Sequence, residues 1–305
     1  MTEQPLVSII INCFNSEKYL KDTINSVQSQ TYSNFEVIFW DNYSTDTTPE
    51  IIKSYHDPRF KYYHANEHTT LGEARNLAMG EIKGCYFCFL DSDDVWDPDY
   101  LKNEIEVFNK YDNIIAVFSN YYLWEKGEKK VYNSNQKSQI HSLKAVLLDY
   151  KIGMSACIMK TNIASSNHVK FDNNYQLIED MDFFIKMLEY GDFYYDSNPL
   201  CSYRVNPESS TYRLKNKWAG EYKSLYDKLK VKYIESGANV LDQDDIKHLK
   251  IREISYLMED CIDKNNKIEL LRLLINNKFM PFRYCWSRYL FLLFGKKIYT
   301  ILRRH

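Results

Sequence analysis

The chain opens on an alternation of apolar runs and amphipathic stretches. Residues 6–12, LVSIIIN, and 35–41, FEVIFWD, are short and largely apolar, the pattern of strands buried on both faces. Between them, SEKYLKDTINSVQSQ (16–30) sets Tyr19, Leu20, Ile24 and Val27 at helical spacing, with Ser16 as the expected N-cap. The alternation continues with a helix over 44–56, a strand over 60–65, a helix over 71–82 and a fourth strand over 84–90. Strand and helix in turn, joined by short loops, predict an α/β fold with a mainly parallel sheet covered on both faces. Right-handed crossovers bring the strand C-terminal ends to one edge, where open sheets of this kind bind ligands. Asn12, Asp41 and Asp91 all fall at such ends.

The second half is less regular. A helix is expected over 97–111, a strand over 114–124, helices over 141–150 and 177–190, and extended chain over 153–160 and 193–205. Beyond about residue 212 only helical spacing remains, with Trp218, Tyr222, Leu225, Leu229 and Tyr233 on one face. Two domains are therefore expected, residues 1–210 and a helical extension over 211–305.

Composition narrows the class. At 305 residues, with 45% hydrophobic and 26% charged side chains, the chain is globular. A net charge of -2 is not that of a protein built to wrap nucleic acid. Seven cysteines form no regular framework, and the opening MTEQPLVSIIINCF lacks a basic leader and a cleavage site, so free thiols and a cytoplasmic location are expected. Cys85 and Cys88 lie three apart on a predicted strand, hence on opposite sides, and read as small hydrophobes. No apolar run approaches the roughly 18–20 residues of a spanning helix.

The chemistry concentrates in GCYFCFLDSDDV (84–95), where a buried strand runs into Asp91, Ser92, Asp93 and Asp94. Carboxylates this close raise one another's pKa or call for a cation. A hard divalent ion, Mn²⁺ or Mg²⁺, takes oxygen ligands and commonly shares them with substrate phosphates. The alternative is a solvated acidic turn, with Asp94 and Asp97 capping the next helix. A second cluster, Glu179-Asp180-Met181-Asp182, starts an apolar helix, where acidic residues also match the helix dipole.

Two families share parts of this pattern. FLDSDDV fits the DxDx[TV] opening of haloacid-dehalogenase-like phosphatases, in which Asp91 would be the nucleophile, but that likeness leaves the preceding 80 or so residues unexplained. The order of five segments is more specific. These are VSIIINCFNSEKYLKDTINSVQSQTYSNFEVIFWDNYSTDTTPEII, LGEARNLAMGEIKG, FLDSDDVWDPDYL, LIEDMDFFIKML and CSYRVNPESST. Together they resemble the inverting family 2 glycosyltransferases of the GT-A fold over about residues 5–210.

That resemblance implies roles. Asp41 would contact the nucleotide base, and Asn12, Cys13, Phe14 and Asn15 would wall the nucleotide. Arg75 would lie close to the diphosphate or its aspartates, Asp91 would approach the ribose or the metal shell, and Ser92 would line the nucleotide. Asp93, with Asp91, would hold the metal. Asp180 would be the general base, Glu179 would orient the acceptor, and Arg204 would bring charge on loop closure. The donor would be a nucleotide-diphosphate sugar, most readily a UDP-sugar, and the acceptor a glycan or lipid-linked saccharide. A non-catalytic nucleotide-sugar binding module is the remaining alternative. The chain departs from the family's pattern at Asn12, Asn42, Tyr43 and Asn206. Finally, residues 281–305 carry six Lys or Arg and no Asp or Glu among aromatic and aliphatic residues, and read as a helix lying on the inner face of the cell membrane, the alternative being a terminal helix docked on the core or on a partner subunit.

Overall fold

The computed structural model describes residues 4–235, 240–277, 280, 285, 288–289 and 291–293. The chain divides into two compact units, residues 1–207 and 208–305.

The first unit is built on β1 (Val7–Cys13), β2 (Phe35–Asp41), β3 (Phe60–His64) and β4 (Tyr86–Phe89), all parallel, in the order β3-β2-β1-β4. Helices α1 (Leu20–Gln28), α2 (Thr48–Ser54) and α3 (Leu71–Met79) make the crossovers. The sheet then continues through strands that arrive later in the chain: β9 (Cys157–Lys160), β6 (Ile114–Glu125), β10 (Asp192–Arg204) and β5 (Val95–Trp96). β9 runs antiparallel to both β4 and β6, whereas β6 and β10 are parallel. The sheet is thus mixed, as the GT-A resemblance requires. Short strands β7 (Glu128–Val131) and β8 (Gln139–His141) pair with β6 and β10.

Two apolar layers flank this sheet. One packs Ile9, Ile11, Val37 and Phe39 against α1, α2 and α4 (Tyr100–Phe108). The other packs Ile10, Ile38, Phe87 and Phe89 against α3, α5 (Leu143–Leu148), α6 (Thr161–Ser166) and α7 (Glu179–Leu188). Alternation along β1 and β2 therefore decides which helices each side chain meets. At Gly84 backbone approaches backbone closely: a Cβ there would lie 2.7 Å from Leu6 O, Ser8 N and Tyr86 O. The two cysteines of the CxxC do part, Cys85 exposed and Cys88 buried, and all seven are free.

Several local expectations are corrected. Ser16 does not cap α1, which starts four residues later; its hydroxyl instead accepts from the Phe14 N–H and meets the Ser92 hydroxyl at 2.8 Å. Residues 154–156 form a 3₁₀ turn before β9. The helix expected over 141–150 is shorter, with Ser142 as its N-cap accepting from the Ala145 N–H.

The second unit is helical, with α8 (Ser210–Arg213), α9 (Trp218–Lys230), α10 (Gln243–Asp263) and α11 (Lys267–Asn276). A capping box between Asp242 and Asp245 starts α10. Its core joins Ile254, Met258, Ile262, Leu270 and Leu274. Most of the 281–305 segment, expected to lie on a membrane, falls outside the described residues. Of those described, Cys285 and Phe291 are buried in this core and Arg288 pairs with Glu259, so this part docks on its own unit. No helix among the described residues is long and apolar enough to cross a membrane.

Candidate functional site

Three loops leave the C-terminal ends of β1, β2 and β4. The first two are laced together. Asn15 accepts from the Thr45 N–H at 2.8 Å and donates its own N–H to Ser44 Oγ at 3.0 Å. Glu17 accepts from the Thr47 N–H and hydroxyl, and Asp46 accepts from the Glu17 N–H. Asn15 (φ 50°) and Tyr43 (φ 71°) hold left-handed backbone, costly for a side chain as large as tyrosine. A bend of this kind favours a small residue at 43. Between the loops stand the exposed rings of Phe14 and Tyr43. The Phe14 ring lies 4.0 Å from that of His68.

Asp41 ends β2 on the α1/α2 face and is fully buried. Its oxygens accept from the Ser44 N–H at 2.8 Å and the Tyr62 hydroxyl at 2.6 Å. The carboxylate expected to read a base is therefore turned inward and engaged in fixing the 42–44 turn. Its neighbour Asn42 ties that turn to Thr69 through both ends of its amide. Cys13 likewise turns inward: its thiol is buried on the same face, and burial and the Asp41 charge hold it well above the usual thiol range. Only its backbone borders the loops. Asn12 points to the opposite face, and both polar atoms of its amide are buried without a protein partner.

In the third loop the carboxylates have separate fates. Asp94 is fully buried and accepts the Arg204 N–H at 2.8 Å. Asp91 remains over a third exposed and pairs with Arg75 at 3.1 Å. Asp93 has no such partner. Burial and the Asp91 charge raise it to about 6, against the pull of Arg204 and a hydrogen bond with Asn206. Arg204 is a latch: Nε donates to the Asp93 carbonyl at 2.9 Å, a terminal nitrogen pairs with Asp22 at 3.0 Å, and the guanidinium lies 3.9 Å from the Trp124 ring. Ser92 joins the loop to α1, its carbonyl accepting from the Thr23 hydroxyl.

Arg75 carries the second acidic cluster to this edge. It is nearly fully buried and stands between Asp91 and Glu179, 3.0 Å from the latter. The two carboxylates bring together segments separated by almost ninety residues, and they keep its guanidinium charged against burial. Glu179 is consequently committed to Arg75 instead of facing solvent; burial nevertheless raises its carboxyl to about 7. Asp182 is buried and paired with Lys186 at 2.6 Å. Asp180 is half-buried. Its oxygens accept from the Met181 N–H at 2.7 Å and the Tyr150 hydroxyl at 3.1 Å, and burial, opposed by Arg75, raises its pKa. Sequence reasoning missed Tyr150 and Ser155, whose hydroxyl accepts from the Asp91 N–H at 3.1 Å. Neither belongs to a motif. Among the described residues no three His, Cys, Asp or Glu side chains converge to hold a metal by themselves.

Comparison with known proteins agrees with this architecture. Residues 8–166, just over half of the chain, match the model of glycosyl transferase family 2. A glycosyltransferase of Rickettsia typhi of uncharacterized specificity is 30% identical over 230 residues, covering 74% of this chain and 71% of that protein. The Escherichia coli UDP-Glc:alpha-D-GlcNAc-diphosphoundecaprenol beta-1,3-glucosyltransferase WfaP is 40% identical over 118 residues, 39% of this chain and 47% of the relative. Among solved structures, S. aureus TarS 1–349 in complex with UDP-GlcNAc superposes with a TM-score of 0.60 at 17% identity, over 83% of this chain and 81% of that one. That likeness establishes the GT-A fold. The chain belongs to glycosyl transferase family 2.

Proposed function

We propose that the protein transfers a sugar from a UDP-sugar to a hydroxyl of a glycan or lipid-linked saccharide, with inversion, in one displacement. The observation that carries this reading is Arg75, which gathers the phosphate-side carboxylate Asp91 and the Glu179-Asp180 helix start at one sheet edge. The names of relatives that use UDP-glucose or bind UDP-GlcNAc support the donor class.

Asp180 accepts the proton of the acceptor hydroxyl while the acceptor oxygen forms the bond to the anomeric carbon. The bond from that carbon to the phosphate oxygen breaks, and its electron pair leaves with UDP. Asn12, Phe14, Asn15 and Tyr43 border the nucleotide, whose base stacks on the exposed aromatic rings. We assign base contact to this surface, which Asp41 shapes from beneath. Asp93 and Asp91 suit a hard cation: two oxygen donors, one partly exposed and the other raised to about 6 by burial and by the neighbouring Asp91 charge. Mn²⁺ or Mg²⁺ bound there supplies charge to the diphosphate. Contact with the cytoplasmic face of the membrane is proposed through residues 281–305, whose six Lys or Arg and lack of Asp or Glu suit an anionic surface.

Calorimetry with UDP, GDP, CDP and dTDP, with Mn²⁺ or chelator, tests the reading. Metal-dependent binding, strongest for UDP and lost in Asp93→Asn, is expected. Binding to none of the four would reject the donor site. Simple phosphate-monoester hydrolysis lost in Asp91→Asn would favour the phosphatase reading instead, although Asp91 is engaged by Arg75.

A further inference from the structure

Tyr150 lies outside every motif of the chain, yet it holds the side chain on which transfer turns. Its hydroxyl donates to Asp180 Oδ2 at 3.1 Å, and the Met181 N–H donates to Oδ1 at 2.7 Å. These two donors, on different elements, fix the carboxylate plane. Each oxygen keeps a further lone pair for an incoming hydroxyl.

The segment that carries Tyr150 is itself anchored. Gly153 packs so closely that a Cβ would lie 3.2 Å from the Tyr121 ring. Two residues on, Ser155 accepts from the Asp91 N–H at 3.1 Å, and its carbonyl accepts from Trp96 Nε1 at 2.6 Å. One stretch, residues 150–155, therefore touches the proton-accepting carboxylate at one end and the diphosphate-side loop at the other. Burial and the Asp180 charge keep the Tyr150 phenol protonated, so it stays a donor.

We propose that Tyr150 is a positioning residue for transfer: its hydroxyl orients Asp180 and favours the ionised carboxylate that accepts the acceptor's proton. This rests on the reading of Asp180 as the base. The other charged groups acting on Asp180 are Arg75 of α3, which favours its ionised form, and Glu179 of α7 and Asp91 after β4, which oppose it. Tyr150 adds a directional contact that none of these charges supplies.

The test reads Asp180 directly and needs no acceptor. The ¹³C carboxyl signals of aspartate-labelled protein are followed against pH, with Asp180 assigned by its loss in Asp180→Asn. Tyr150→Phe keeps the ring and removes the donor; the Asp180 midpoint should rise by about one pH unit. Replacing Tyr150 with 3-fluorotyrosine, a stronger donor of nearly the same shape, should lower it. Opposite shifts from the two variants support the proposal. A midpoint unmoved in the fluorotyrosine protein, or moved the same way in both, would overturn it and leave Tyr150 a packing residue. Should Tyr150→Phe not fold, the fluorotyrosine result alone decides. If these shifts are seen but Asp180→Asn still transfers sugar at the normal rate, the contact stands and the base assignment fails.

Discussion

The two acidic clusters are built to one plan and differ in what surrounds them. In Asp91-Ser92-Asp93-Asp94, Asp94 is buried and structural, Asp91 pairs with Arg75 and Asp93 is half-buried beside Asn206. Glu179-Asp180-Met181-Asp182 repeats the division: Asp182 is buried against Lys186, Glu179 pairs with Arg75 and Asp180 is left. The residual member of each cluster has a raised pKa because burial outweighs the positive charge within reach. The difference lies in which elements supply the partners. Asp180 has two well-placed hydrogen-bond donors, as suits a group that takes up one proton from a fixed direction. Asp93 accepts from its own N–H and from the Asn206 side chain, in a loop where Arg204 gives its Nε to the Asp93 carbonyl, and the proposed cation would add the positive charge that Arg204 does not bring to the carboxylate. On the proposed function, identical side chains in these two settings would take different roles.

The strongest way to break this comparison is to neutralise the two residual members separately. Asp180→Asn should lower transfer by about 10²–10⁴-fold while leaving nucleotide affinity intact. Asp93→Asn should abolish the metal-dependent part of UDP binding. If both variants lost binding and turnover alike, the clusters would be one site with no division of labour.

Arg75 is the hinge of the comparison, and its removal should show chiefly in stability. Arg75→Met leaves Glu179 buried with an uncompensated charge, at a cost of about 3–5 kcal/mol. Urea unfolding of the isolated variant measures this. Adding Glu179→Gln should recover part of the loss; no recovery would mean that Arg75 matters mainly through Asp91.

Arg204 belongs to the first cluster only. Arg204→Met keeps much of the contact with Trp124 but removes the bonds to Asp93 and Asp22, for about 1–3 kcal/mol. UDP affinity in Mn²⁺ should weaken while the Asp180 carboxyl titration stays in place. A shift in both would show that the loop and the helix start move together.

How much of this was legible beforehand depends on distance along the chain. β1, β2 and β4 announced themselves as apolar runs, and their polar endings marked the edge at which the candidate site lies. The insertion of β9 between β4 and β6 did not, because an apolar run carries no direction. Asp41 and Cys13 show the same limit: strand alternation, followed strictly, turns both toward α1 and α2 and away from the opposite face. The Arg75–Glu179 pair and the Tyr150–Asp180 contact are tertiary facts, created by bringing α7 and residues 150–155 against α3 and the end of β4. Ser16 was misread because local capping rules favoured a helix start, whereas its hydroxyl serves the loop bearing Ser92.

A third acidic group sharpens the comparison by reversing it. Glu36 starts β2, far from the functional edge, and is also buried. Burial pushes its pKa up, but Lys61, the Ser8 hydroxyl and the Lys83 N–H outweigh burial and leave it below the ordinary value. Its folded state therefore favours ionisation. The resulting stability is fully present above the unfolded pKa of about 4.3 and is lost as pH falls through the folded value. Glu36→Gln should cost about 1–2 kcal/mol at pH 7 and flatten the acid limb of the stability curve below about pH 4. Asp93 has the opposite sign: with its pKa raised to about 6, it costs stability at neutral pH, and Asp93→Asn should be neutral or stabilising in the metal-free protein. Thermal melts of the two variants at pH 7 and pH 4 separate these cases. Equal destabilisation of both would mean that burial alone governs these carboxylates and that the pattern of donors around each does not distinguish scaffold from site.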